Sequence, residues 1–108
     1  MHMRAGELDK KVTIQYPAKT KNSFGEDIET WTDLAENVWC SIEPVSGSER
    51  WLQQERISEA TFKIKMRYRA NLNSTMRAEY KNRYFQFLAV LNLYEDSIEL
   101  LIPCKEVI

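Results

Sequence analysis

The chain has 108 residues, 44% hydrophobic and 29% charged, and its 15 Lys and Arg against 16 Asp and Glu leave a formal charge of −1. That length predicts one domain spanning 1–108 with a single modest core, and excludes a two-domain enzyme with its active site between the halves. Near-neutrality argues against a generally DNA-coating protein, whose domain pI exceeds about 9; three Gly and three Pro argue against a disordered or fibrous chain.

The dominant hydrophobic period is two. Val12, Ile14 and Tyr16 alternate with Thr13 and Gln15, which predicts a half-buried strand ending at Pro17. The polar stretch 18–27, with Gly25, reads as a loop or hairpin end. A second strand is predicted over Ile28 to Asp33, where Thr30 and Trp31 supply β-propensity, followed by a break at Leu34 to Asn37. Val38, Cys40 and Ile42 then alternate with Trp39, Ser41 and Glu43 in a third strand stopped by Pro44.

Next comes the one helical signal. Ser46 precedes Glu49 at capping-box spacing, and Trp51 and Leu52 with Glu55 and Arg56 fit a short helix ending near Arg56. A helix of that length is not stable alone. Thr61 to Arg69 is the clearest strand, with Phe62, Ile64, Met66 and Tyr68 on one face and Lys63, Lys65, Arg67 and Arg69 on the other. Met76, Ala78 and Tyr80 begin a further strand. Lys81-Asn82 reads as a two-residue hairpin turn, Arg83 to Leu91 returns, and Ile98, Leu100 and Ile102 form a last strand stopped by Pro103. These elements predict a mainly β fold: a small barrel or sandwich of six to seven short antiparallel strands, with one short helix in a long loop.

The charge is segregated along the chain: +3 over residues 1–23, −7 over 24–59, +6 over 61–83 and −3 over 84–108. The stripe Lys63, Lys65, Arg67, Arg69 is the sharpest functional feature. It reads as a solvated edge-strand face, a phosphate-facing surface or an electrostatic docking surface. Trp51, on an otherwise charged helix, reads as a lid over the barrel end or as a contact with a partner subunit. The acidic block from Glu26 to Glu59 is suited to face the basic stripe of an identical neighbour, because head-to-tail contacts use two different patches of one chain.

Catalytic signals are missing. The one histidine, His2, stands at the terminus, so neither a Ser/His nor a Cys/His arrangement is available. Glu26-Asp27 and Glu95-Asp96 sit in turn-like contexts, where solvated charges are the ordinary reading, and there is no phosphate-binding glycine motif. Cys40 and Cys104 lie in apolar strands and read as free buried thiols; with one His they are too few for a structural zinc site. No cofactor or metal is expected. The charged start lacks the apolar run of a secretory signal, and no stretch approaches a membrane span, which predicts a soluble protein made in a reducing cytoplasm. Met1-His2-Met3 reads as a cloned start codon followed by a native one, so residues 1 and 2 read as vector-derived.

Ordered short motifs run through the whole chain: the opening stretch Met3 to Gln15; Gly25, Thr30-Trp31 and Val38-Trp39; Ile42-Glu43-Pro44 and Ser46-Gly47-Ser48-Glu49; Ile64 to Tyr68; Met76-Arg77, Tyr80 to Phe85, Val90 to Asn92 and Glu99-Leu100. Together they resemble the tailed-phage head–tail joining proteins, also called stopper or head-completion proteins. The family's hairpin often carries Gly where this chain has Lys81-Asn82, a difference of turn type. The resemblance implies a small β-barrel with a short helix in a long loop and no enzymatic turnover. It implies a homo-oligomeric ring, usually twelve-fold, as a virion component of the head–tail connector, below the portal and adaptor proteins and above the tail proteins. The ring would close the channel on packaged double-stranded DNA. The channel loop maps to about Val45 through Ala60, with Ser46, Gly47, Ser48, Glu49, Arg50, Trp51, Gln54 and Glu55 as its candidate gating residues. Lys63, Lys65, Arg67 and Arg69 are the candidate subunit-facing or DNA-facing residues. A tail-completion protein of the same region and a small nucleic-acid-binding barrel are the alternatives.

Overall fold

The computed structural model describes residues 8–45, 57–92 and 98–107. Seven strands form one antiparallel sheet: β1 (Lys10–Lys21), β2 (Asp27–Pro44), β3 (Phe62–Arg67), β4 (Arg77–Tyr80), β5 (Arg83–Phe87), β6 (Leu91–Asn92) and β7 (Glu99–Val107). The order is β3-β2-β1-β4-β5-β7-β6, and β3 also pairs with β7, which closes the sheet into a barrel. β5 and β6 both lie along the edge of β7 opposite β3: Cys104 has Phe62 on one side and Phe87 on the other, and Leu101 has Lys65 and Leu91. The segment 83–92 is therefore one barrel strand interrupted at Leu88 to Val90.

The period-two reading holds through the barrel wall. Val12, Ile14, Val38, Cys40, Ile64, Met66, Ala78, Phe85, Phe87, Leu100, Ile102 and Cys104 are buried and form one core. Phe62 meets Phe85 edge to face, ring centroids 5.4 Å apart, a favoured arrangement of the two ring quadrupoles. The core thus holds most of the predicted inward faces; Tyr68 and Ile98, expected to alternate inward, are exposed, and β7 is buried at six consecutive residues, Glu99 to Cys104.

Four boundaries differ from the expectation, each for a local reason. The predicted break at Leu34 to Asn37 is two bulges inside one long strand. Val12 pairs Val38, Ile14 pairs Ala35 and Gln15 pairs Asp33, so β2 carries one extra residue twice. Asn37 takes up the left-handed backbone at φ 55°, a conformation Asn tolerates better than most residues. Because two single-residue insertions shift the register by an even number, the apolar face of β2 stays in phase.

Pro17 does not end β1, which runs on to Lys21; beyond Gln15 the strand has β2 alone as neighbour, so the missing N–H falls on an open edge. Pro103 does not end β7. Its carbonyl accepts from Leu88 N at 2.9 Å, so its donorless nitrogen faces the same side, where the neighbouring strand is interrupted. The strand expected over Thr61 to Arg69 ends at Arg67, leaving Tyr68 and Arg69 beyond it. The helix predicted from Ser46 lies outside the described residues.

Lys81-Asn82 forms the predicted tight hairpin between Tyr80 and Arg83, with both residues at positive φ (49° and 65°). Asn82 N donates to Glu79 Oε1 at 2.9 Å. Left-handed backbone is costly for a lysine and mild for Asn or Gly. Lys81→Asn is expected to stabilise the protein by about 0.5–1 kcal/mol, read as a raised urea midpoint with unchanged slope.

Cys40 and Cys104 are free and buried, as predicted. Burial pushes each thiol up from about 9 to about 12. A raised folded value means their contribution is complete below pH 9 and is lost as pH climbs through 12. The native protein is expected to resist a thiol reagent at pH 8 and to react at two sites once unfolded in urea; fast native labelling would contradict this.

Candidate interaction surfaces

The basic stripe divides in two. Lys63 and Lys65 stand on the outer face of β3 beside β2, where the register places Glu43 opposite Lys63 and Ser41 opposite Lys65. Glu43 Oε2 lies 3.7 Å from Lys63 Nζ and 3.9 Å from Lys65 Nζ. One residue of the acidic block thus sits between both lysines of this half of the stripe and offsets part of their charge within the same molecule. The edge-strand reading also falls, because β3 has β2 on one side and β7 on the other. The outer face is apolar in part here: Leu101 and Pro103, register partners of Lys65 and Lys63, are buried.

Arg67 and Arg69 belong to a different surface. With Leu8, Asn37, Val38, Trp39 and Tyr68 they line a groove of about 480 Å³ at the end of the barrel where β1 starts. Trp39 is 50% and Tyr68 43% exposed. Lys11, directly across the β1–β2 ladder from Trp39, holds its ammonium 4.7 Å from the ring centroid. The bulge at Asn37 bends β2 beside Trp39. Glu99 of β7, the register partner of Arg67, is buried beside it. Tyr68 and Arg69 reach the groove because the chain leaves β3 there, with Tyr68 N still donating to Ile98 O at 2.8 Å.

At the opposite end, β1 and β2 leave the barrel as a two-stranded arm. β4 pairs with β1 only from Thr13 to Gln15, whereas β1 and β2 stay paired to Lys21↔Asp27. The arm accounts for the elongated molecule, 51 × 30 × 26 Å. Its ladder matches charges, Lys19 opposite Glu29 and Lys21 opposite Asp27. At the tip Asn22 Oδ1 accepts from Phe24 N and Glu26 N at 2.9 and 3.0 Å, Gly25 supplies φ 79°, and Phe24 stands 85% exposed.

The root of the arm is braced by a cluster that the alternation alone did not reveal. The Arg77 guanidinium of β4 lies 4.1 Å from the centroids of both Trp31 in the arm and Tyr84 in β5. Arg77 Nε donates to Gln15 Oε1 at 2.8 Å, and Gln15 Nε2 donates to Asp33 Oδ1 at 2.9 Å. Burial lowers the Arg77 pKa from its ordinary value, with Tyr84 and Glu79 opposing. Trp31 and Arg77 lie 46 positions apart in sequence, too far for any local pattern to link them. Within the barrel wall, Arg83 Nε and Nη2 of β5 donate to the two carboxylate oxygens of Glu106 on β7, each at 2.9 Å.

Arg77→Ala is expected to lower stability by about 1–3 kcal/mol, through lost ring stacking and a charge-assisted hydrogen bond, and Arg77→Lys to recover less than half of it. Urea unfolding followed by circular dichroism measures both; a neutral Arg77→Ala would dismiss the brace.

The candidate gating residues Ser46, Gly47, Ser48, Glu49, Arg50, Trp51, Gln54 and Glu55 lie outside the described residues. Among the described residues no group of three His, Cys, Asp or Glu converges as a metal site.

Known proteins share this architecture. The chain is 26% identical over 110 residues to head completion protein gp7 of Enterobacteria phage HK97, covering 95% of this chain and 96% of that one. The solution structure of protein SF1141 from Shigella flexneri 2a superposes with a TM-score of 0.76 at 29% identity, covering 96% of each chain. A chain in the virion of a native gene transfer agent particle gives a TM-score of 0.64 at 22% identity, over 93% of this chain and 96% of that one, which is a likeness of fold. The family model for phage head completion proteins matches residues 3–107, and with it this chain belongs to the phage head completion protein family.

Proposed function

We propose that this protein forms a homo-oligomeric ring in the head–tail connector of a phage virion, where it closes the DNA channel after packaging and offers the surface on which the tail docks. Family membership over residues 3–107 supports the head-completion role. The observation that carries the ring is the distribution of surfaces: a basic aromatic groove at one end of the long axis and an arm with an exposed tip at the other. The closed barrel wall leaves open strand edges chiefly along the arm, and this reading assigns the contacts between subunits to the side-chain surfaces at the two ends.

In this reading the loop carrying Ser46 to Glu55, with Trp51, faces the channel. The neighbours are the portal and adaptor proteins above, tail proteins below and packaged double-stranded DNA within. The work is mechanical, without turnover. A nucleic-acid reading draws on Tyr68 between the exposed Arg67 and Arg69. It requires binding of free duplex by the isolated protein that falls steeply with salt.

Phage lacking the gene are expected to yield filled heads that lose their DNA or fail to join tails, scored by electron microscopy and restored by supplying the chain in trans. Joined, infectious particles at normal yield from the deletion would end this reading.

A further inference from the structure

The arm tip and the end groove complement each other in three respects. The tip carries one apolar side chain, Phe24, followed by the acidic Glu26 and Asp27; the groove offers the half-exposed rings of Trp39 and Tyr68 beside Arg67 and Arg69. A groove of about 480 Å³ has room for a phenyl group with its backbone turn. The tip is already folded, since Gly25 N and Asn22 N close it with backbone hydrogen bonds of 3.0 Å and the Asn22 side chain holds it from within. The arm is likewise held at its root by Arg77 against Trp31. A prefolded, braced element loses little freedom on docking.

The two cannot meet within one molecule. Trp39 and Ile28 lie on the same strand β2, eleven positions apart, which at about 3.3 Å per residue places the tip roughly 35 Å from the groove. We infer that the arm tip of one copy seats in the groove of the next: Phe24 between Trp39 and Tyr68, with Glu26 and Asp27 against Arg67 and Arg69. This rests on the ring reading and names its contact. Such a contact is head-to-tail, using two different patches of each chain, and it generates a ring when the rotation between copies closes. It also gives Arg67 and Arg69 a role distinct from Lys63 and Lys65, which Glu43 already engages.

The test is a cross-link in assembled particles. A chain carrying both Phe24→Cys and Tyr68→Cys is incorporated into phage particles, oxidised, and run on a denaturing gel; the native thiols Cys40 and Cys104 are buried and stay silent. The double variant is expected to give a ladder of covalent oligomers that collapses to monomer on reduction, while either single variant gives none. Normal incorporation without a ladder would overturn the arm-to-groove contact and leave the ring standing on other surfaces. Joined particles that hold none of this protein would instead defeat the ring reading itself.

If the cysteine chain is not incorporated, a charge exchange decides. Arg67→Glu with Arg69→Glu, and Glu26→Lys with Asp27→Lys, are each expected to lower incorporation at least about tenfold, and the four substitutions together to restore it. Folded variants that show no restoration would overturn the contact.

Discussion

The antiparallel pairing of β3 with β7 is the constraint on which the rest of the molecule depends. Six residue pairs, from Phe62↔Cys104 to Arg67↔Glu99, join the two ends of an otherwise open sheet. Closure buries Ile64, Met66, Leu100 and Ile102 in one core with Val12, Ile14, Val38 and Cys40 of β1 and β2. It also removes the two edges that an open sheet of this length would present to other chains. Without it, the sheet would be open, with β3 paired to β2 alone and β7 to β5 and β6 alone, and the inward faces would meet water.

Once the barrel is closed, β1 and β2 are longer than the wall they build. The excess must leave the barrel, and it leaves as a paired arm. A two-stranded ribbon is marginal by itself, so the charge pairs along its ladder and the Arg77 cluster at its root matter more than similar contacts would in the wall. The bulges at Leu34 and Asn37 fall in the stretch of β2 between the wall and the arm. A bulge raises local twist, which sets the direction in which the arm departs.

Alternation made each strand's inner face legible from the residues alone, because a half-buried strand must place apolar groups at every second position. The two-residue turn at Lys81-Asn82 and the free thiols were legible for equally local reasons. Strand ends were less so. Pro17 and Pro103 read as stops in the sequence, yet each sits where a missing N–H has no partner to lose, and that depends on which neighbour is present or interrupted. The basic stripe illustrates the same limit. Four like charges on one strand face are visible in sequence, but Glu43 lies across a ladder whose register only the folded sheet defines, so the pairing of Lys63 and Lys65 and the separate situation of Arg67 and Arg69 were not.

The sequence by itself determined a β protein with one apolar face per strand, and its ordered motifs pointed to the head completion family. These properties are local in period or linear in order, and so survive without coordinates. Only the tertiary structure decided that the near-neutral charge is spread over a face where Glu43 offsets part of two lysines, a basic aromatic groove and an acidic-tipped arm some tens of ångströms apart. The reason is non-local pairing: register, closure and the bulges bring Arg77 to Trp31, Glu43 to Lys63, and Arg67 to Trp39. None of these distances is set by separation along the chain.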